Sequence, residues 1–299
     1  MDRLQTMAAF VAVAEESGFA AAARRLNISP PSVTRAVSEL EAKLGARLLH
    51  RTTRQVRLTS AGERYLADCR RILQEIDDAD SAAAGVHGAL RGMVSVTASA
   101  LFGRMVVAPR LLEFLDLHPN VSITTLFVDR VVDLVDEGMD VAVRIAELPD
   151  STLSAVRVGS VRRVLCASPA YLERHGTPAA PADLSEHDTI AFIATGPTAE
   201  WKFERDGKRA SFRPSSRFEV NSADVSIGAA LADRGITRVL SYMIAPHLAA
   251  GKLKLVLDDY TPPPVPVHVV HKETGHTSAR VRAAFDFLVD HLRHVPSLN

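Results

Sequence analysis

The 299-residue chain has only two cysteines, Cys69 and Cys166, and no excess of either charge, since 35 Lys and Arg face 35 Asp and Glu. Two thiols make no disulfide framework, which excludes a small stapled secreted domain and fits a reducing compartment. Charge balance over the whole chain means that any electrostatic footprint must be local. Long apolar runs are missing too. The opening MDRLQTMAAFVAVAEESG has no basic leader with a cleavage site. Its apolar run meets Glu15-Glu16 too early for export or for a membrane span. The expected place is the cytoplasm, away from membranes. There is no short-period repeat, no long low-complexity tract, no G-x-S-x-G frame, no phosphate loop and no triad. The pairs His268/His271 and His291/His294 lack a carboxylate or cysteine at metal-ligand spacing. We therefore expect neither an enzyme nor a metal or cofactor site. What is present is 47 % apolar residues, enough for sizeable cores in two or three domains.

Residues 18–62 are the most informative stretch. Leu4, Met7, Phe10, Val11 and Ala14 recur at helical spacing and predict an amphipathic helix over 3–16 that stops at Gly18. Phe19–Leu26 is a second helix, Asn27-Ile28 a turn, and Ser29 an N-cap ahead of Pro30. Val33, Val37, Leu40 and Leu44 line one face of a third helix that Gly45 ends. Its outer face then shows Ser32, Thr34, Arg35 and Ser38. Arg51-Thr52-Thr53-Arg54 and Val56-Arg57-Leu58 form a basic hairpin. From Arg24 to Arg71 eleven basic residues face four acidic ones, a local excess of seven. Two helices joined by a tight turn and followed by a basic hairpin make a winged helix-turn-helix, the shape that enters a DNA major groove. Candidate DNA contacts are Ser29, Pro31, Ser32, Thr34, Arg35 and Ser38 on the recognition helix. In the wing they are Arg51, Thr52, Thr53 and Arg54, whose arginines would hold phosphates or the minor groove.

Thr59 or Ser60 then caps a long helix, with Glu63 at capping-box spacing from Ser60. It runs to about Gly85 on the stripe Leu66, Cys69, Ile72, Leu73, Ile76 and Ala79. No small domain needs such a helix for its own core, so it either links the domains or packs on its copy in a dimer. From Gly92 the texture changes to alternating strands and helices. Met93–Ser99 is a strand, Phe102–Leu117 a helix, Val121–Val128 a strand, Val131–Glu137 a helix and Val141–Ile145 a strand, which implies parallel strands with helical crossovers. RVLCAS at 163–168 opens a second set, and Val265–His271 returns as a late strand before a closing helix over Ser278–Leu292.

Ligands of open α/β sheets gather at the carboxyl ends of the strands. That selects Ser99 with Ala100, Leu101 and Phe102, where a helix start offers N–H groups to an anion. Ser99 is either an anion ligand or a plain helix cap. Asp129 follows the second strand. Arg144 in the third could bind a carboxylate two-handed or serve a structural ion pair. Thr195, Trp201, Asn221 and Ser222 sit on later loops or strand ends that could face the same cleft. Trp201, the sole tryptophan, reads equally as a core anchor.

The N-terminal residues resemble the LysR-type transcriptional regulators. The matching positions are Phe10, Gly18-Phe19, Ala22-Ala23, Leu26, Ser29, Val33, Leu40-Glu41, Leu44-Gly45, Leu48-Leu49, Arg51, Arg54, Leu58-Thr59 and Ala61-Gly62. One departure is Pro30-Pro31, where many members carry glutamine and a small residue. The resemblance implies a multidomain fold: an N-terminal all-α winged helix-turn-helix with a long linker helix, then an α/β two-lobed effector domain of periplasmic-binding-protein type. Its boundaries would be 1–59, 60–88 and 89–299, with lobe 1 over 91–162 and 267–299 and lobe 2 over 163–266. It also implies double-stranded promoter DNA and a small-molecule effector as partners, an anion being one candidate effector from the reading of Ser99. A homotetramer built as a dimer of dimers and RNA polymerase as a further candidate partner follow from it as well. Activation and repression both occur in the family. The rival reading, a solute-binding protein or transporter component, rests on residues 91–299 alone.

Overall fold

The computed structural model describes residues 2–51, 56–83, 90–134, 136–148, 153–193, 200–272 and 277–298. The chain folds as two compact units, Met1–Gly88 and Ala89–Asn299.

In the first unit α1 (Arg3–Glu16), α2 (Phe19–Leu26) and α3 (Pro30–Leu44) precede a hairpin of β1 (Leu49–Arg51) and β2 (Val56–Leu58), and then α4 (Ser60–Ala83). The centre of α1 is not amphipathic: Met7 and Ala9 through Val13 are all buried, because α1 is wrapped by its neighbours rather than lying on a surface. Asn27 adopts φ 53°, ψ 41° and Gly45 φ 64°, the left-handed conformations that end helices. Thr59 caps α4, its Oγ1 accepting from the Gly62 N–H at 2.9 Å. That puts Gly62 rather than Glu63 at the third helical position, so the Ser60–Glu63 capping box does not form. Gly62 is required by contact: a Cβ there would stand 2.0 Å from the Leu48 carbonyl oxygen. Leu66 and Cys69 of α4 pack into the same core as Phe10, Val37 and Leu40.

The second unit holds two five-stranded sheets. Its elements begin with β3 (Gly92–Ala98), α5 (Ala100–Phe102), a π-helical turn over Gly103–Val107, and α6 (Ala108–Leu117). Next come β4 (Val121–Phe127), β5 (Val141–Ile145), β6 (Leu153–Val161), β7 (Arg163–Ala167), α7 (Pro169–His175), β8 (Thr189–Phe192) and the hairpin β9 (Trp201–Arg205)–β10 (Lys208–Phe212). The last are β11 (Phe218–Val220), α8 (Ala223–Leu231), β12 (Ile236–Leu240), α9 (Ser241–Ala249), β13 (Lys254–Val256), β14 (Val265–Lys272) and α10 (Ala279–Arg293). The first sheet runs β4-β3-β5-β14-β6 and the second β11-β8-β12-β7-β13. The chain crosses from one to the other at Arg162 and back at Pro264.

One sequence expectation fails here, and one strand was not foreseen. Residues 131–137 form no helix among the described residues. Asp133 accepts the Asp136 N–H with its own carboxylate at 3.0 Å, and Gly138 takes φ 64°, so local turn bonds replace a helix. The crossover from β4 to β5 is a loop. Strand β6 has no counterpart among the expected elements, yet it pairs with β14 along its whole length.

Candidate functional site

In the first unit the recognition helix is fixed from below and open above. Val33, Ala36, Val37 and Leu40 are buried, whereas Pro31, Thr34, Arg35 and Ser38 are exposed and Ser32 is half-exposed. Ser29 spends its Oγ on the helix: it accepts from the Ser32 N–H at 3.3 Å and meets Ser32 Oγ at 2.8 Å. Thr34 Oγ1 donates to the Pro30 carbonyl at 3.1 Å. Arg35 forms no ion pair among the described residues, so its guanidinium is available. Of the wing, Arg51 ends β1, while Thr52, Thr53 and Arg54 lie outside the described residues.

The basic excess is smaller than the sequence count. Glu15 binds Arg25 at 2.5 Å and Arg70 at 2.8 Å, and Arg71 meets Asp68 and Glu75. Burial opposes the Glu15 charge, but the hydrogen bonds from Arg25 and Arg70 outweigh it and hold the carboxyl below its ordinary range. Sequence reasoning gave Glu41 only a place in the charge count and among the matching family positions, with no structural role. Its Oε1 accepts the N–H groups of Leu48 (2.9 Å) and Leu49 (3.1 Å), fastening the base of the wing to α3. A helix carboxylate lying just before a glycine-ended turn and a hydrophobic strand was the available signal.

In the second unit the parallel strands β3, β4 and β5 end at Ser99, Val128-Asp129 and Ile145, and β8, β11 and β12 end near Ile193, Asn221 and Ser241. Ser99 occupies the N-cap position of α5, but its side chain makes no cap bond. Its Oγ is shut from solvent without a hydrogen-bond partner. Asp129 does the capping, Oδ1 accepting from Ala100 N–H at 3.0 Å. The expectation of a free helix start for an anion is corrected accordingly: a carboxylate of the chain already holds that N–H and would repel a second negative charge. Leu101 and Phe102 are core residues and can offer a ligand only their backbone.

Across from Ser99 stands Tyr242, missed by sequence reasoning. Its ring meets Phe102 edge-on at 5.0 Å, and its hydroxyl is likewise buried and unpartnered. Burial pushes its pKa well up, against a smaller opposing influence of Ser99. Only its position right after a strand end marked it in the sequence. Arg104 and Asp224 close the same region with an exposed ion pair of 2.6 Å.

The remaining candidates divide. Asn221 is exposed and Ser222 half-exposed at the start of α8, and the Ser222 side chain makes no cap bond. Arg144 is half-buried and donates to the Val132 carbonyl; burial lowers its pKa against the pull of Asp133 and Glu137. It ties down the 131–139 loop rather than presenting a fork to a ligand. Trp201 is 3 % exposed and packs with Phe203, Leu165 and Tyr171, so the structure makes it a core anchor and removes it from the cleft. Thr195 lies outside the described residues. Two surface hollows of about 490 and 700 Å³ lie elsewhere, one beside Ser168 and His247, the other beside Arg205 and Pro263.

A helix-turn-helix unit joined to a two-sheet unit with strand ends facing one another defines a ligand-responsive DNA-binding regulator. Residues 4–63 match the bacterial regulatory helix-turn-helix proteins of the lysR family, and residues 87–293 match the LysR substrate binding domain. The chain is 32 % identical to the probable HTH-type transcriptional regulator LtrA of Klebsiella pneumoniae, across 100 % of this chain and 97 % of that protein. It is 31 % identical to the HTH-type transcriptional activator AaeR of Escherichia coli K12, across 100 % and 96 %. Among solved structures, CrgA of Neisseria meningitidis, a LysR-type transcriptional regulator, superposes with a TM-score of 0.63 at 31 % identity over 96 % of this chain and 98 % of that one. The full-length Vibrio cholerae virulence activator AphB also gives 0.63, at 26 % identity over 97 % and 100 %. The chain belongs to the LysR family of transcriptional regulators, with a DNA-binding helix-turn-helix and an effector-binding domain. The free-standing solute-binding reading falls, since the match spans both units. No helix among the described residues is long and apolar enough to cross a membrane.

Proposed function

We propose that this regulator works in the cytoplasm, gripping promoter DNA with α3 and the wing and sensing a small molecule between the two sheets of residues 89–299. The DNA contacts are Ser29, Pro31, Ser32, Thr34, Arg35 and Ser38, with Arg51, Thr52, Thr53 and Arg54 on the adjoining backbone. Lobe 1 supplies Ser99 and Asp129, and lobe 2 supplies Tyr242, Asn221 and Ser222. The hinge is the chain crossing at 162 and 264–266.

One observation carries the sensing half: two hydroxyls that follow strands of different sheets, Ser99 Oγ and Tyr242 OH, are buried beside each other with no hydrogen bond to any other group. A buried unsatisfied hydroxyl costs about 1–3 kcal/mol, and a ligand supplying acceptors or donors there recovers it. Because Asp129 adds its own negative charge, the ligand group at that spot is an uncharged hydrogen-bonding one. Entry separates Arg104 from Asp224, and the lobes then settle in a new angle. In a dimer of dimers held partly by α4, that change alters the spacing and bend of the bound half-sites. Activation through RNA polymerase and repression by occlusion use the same contacts. The family's members are regulators, and we assign no catalysis.

The test is anisotropy titration of labelled promoter fragments by the full chain at several salt concentrations. Specific binding with a steep salt slope is expected, and Ser99→Ala should blunt its response to effector but not the binding itself. Loss of promoter preference at every salt concentration would defeat the reading.

A further inference from the structure

Two arginines of the second sheet lack the carboxylate partner that the nearby Arg162 and Arg174 have. Arg163 and Arg238 have no acidic partner among the described residues. In the register of β7 and β12, Arg238 lies opposite Leu165 and Arg163 opposite Leu240, so both side chains leave the same sheet face as diagonal neighbours. That face carries Leu165 and Ile236, which share an apolar cluster with Trp201 of the β9–β10 hairpin. The opposite face carries Thr237 and Val239, packed toward α8 and Tyr242. The arginine pair is thus separated by the sheet from the Ser99–Tyr242 hydroxyls.

Arg238 is half-buried. Its Nη2 makes one long bond of 3.4 Å to the Glu200 carbonyl, its guanidinium carbon stands 5.9 Å from the centre of the Trp201 ring, and its Nη1 is enclosed without any partner. Burial and the neighbouring Arg163 charge push its pKa down to about 10. Arg163 is exposed, yet enough protein crowds its guanidinium to lower its pKa too. Two like charges without a counter-ion in a partly dry place are an unbalanced arrangement that an anion completes.

We propose that Arg163 and Arg238 form an oxyanion site, distinct from the hydroxyl cleft, that takes the carboxylate or phosphate group of a small metabolite. Paired guanidiniums bind such groups by charge-assisted hydrogen bonds. Trp201 walls one side, so the anion enters from the Arg163 side. The site adjoins the hinge: the neighbouring Arg162 donates its N–H to Ser241 Oγ at 3.1 Å and ion-pairs with Asp258 at 3.1 Å. An anion here joins the first residue of β7 to β12 just where the chain passes between the sheets, and so stiffens the crossing.

The test is thermal unfolding of the full chain with inorganic phosphate, with acetate, and with sodium chloride at matched ionic strength. Phosphate or acetate should raise the melting temperature by on the order of 5 °C at a hundredfold excess over Kd, and chloride should not. The anion giving the larger shift identifies the group. Arg163→Gln and Arg238→Gln should each abolish the shift, and Arg163→Gln should, without anion, melt no lower than the parent because a repulsion is gone. Ser99→Ala should keep it. Absence of a shift in the parent, an equal shift in Arg163→Gln, or its loss in Ser99→Ala would each overturn the proposal. Arg163→Gln lies at an exposed position and keeps the test open even if Arg238→Gln folds poorly.

Discussion

The first unit places its candidate contact groups on the outside of one helix, while the second places its candidates at the ends of strands far apart in sequence. In α3 every candidate lies within ten residues, and a helical period alone separates the buried Val33, Val37 and Leu40 from the exposed Thr34, Arg35 and Ser38. The cleft instead brings together Ser99 and Tyr242, 143 positions apart by their numbers, through two sheets whose strand order no local pattern encodes. Local chemistry is read from spacing; convergent chemistry needs the topology.

The sharpest way to break that comparison is to damage each core separately. Leu40→Ala and Leu288→Ala remove side chains that are 1 % and 0 % exposed and should each cost about 2–5 kcal/mol. Calorimetry of the full chain should show each variant lowering a different transition; if both shift one common transition, the two cores are not separate. Next in size is Arg35→Ala, which should weaken specific promoter binding by about 1–3 kcal/mol if the side chain reads a base. Arg25→Ala, whose parent side chain is held by Glu15, should leave that preference intact, and anisotropy titrations distinguish the two. Tyr242→Phe deletes a buried hydroxyl that has no partner, so the ligand-free protein should be unchanged or up to about 1 kcal/mol more stable, measured by urea denaturation. A clear loss of stability would mean that the hydroxyl is structural. The smallest effect concerns pH. The Glu15 carboxyl is held below its ordinary 4.5, so its contribution is complete above that value and disappears as pH falls through the lower, folded one. Its side chain is partly exposed, so the contribution is at most about 1 kcal/mol. Acid titration of Glu15→Gln should show a shallower loss of stability than the parent.

Much of the fold was legible because short signals agreed with one another. Asn27, Ser29-Pro30 and Gly45 mark helix ends for backbone reasons that need no tertiary partner. The failures occurred where the tertiary setting decided. Residues 131–137 have helical apolar spacing but give their N–H groups to side-chain and turn acceptors, and LSAVRVGSV becomes a strand because β14 returns beside it. At the site, Trp201 was ambiguous until its neighbours were known, and Arg144 was claimed by a loop carbonyl. Ser99 was reachable from the strand-end rule, but its companion Tyr242 was not, because only the paired sheets bring it near. The charge count overstated the DNA footprint for the same reason: Arg25 and Arg70 were tallied without Glu15, which lies outside the counted window.

The carboxylate of Glu41, clasped on the amides of Leu48 and Leu49, locks the start of β1 to α3 as one rigid piece. If α3 and the wing hold promoter DNA as proposed, such a piece cannot stretch to suit an operator. The double helix must bring its major groove and neighbouring backbone to a fixed gauge, so targets would be sorted by how readily they deform as well as by their bases.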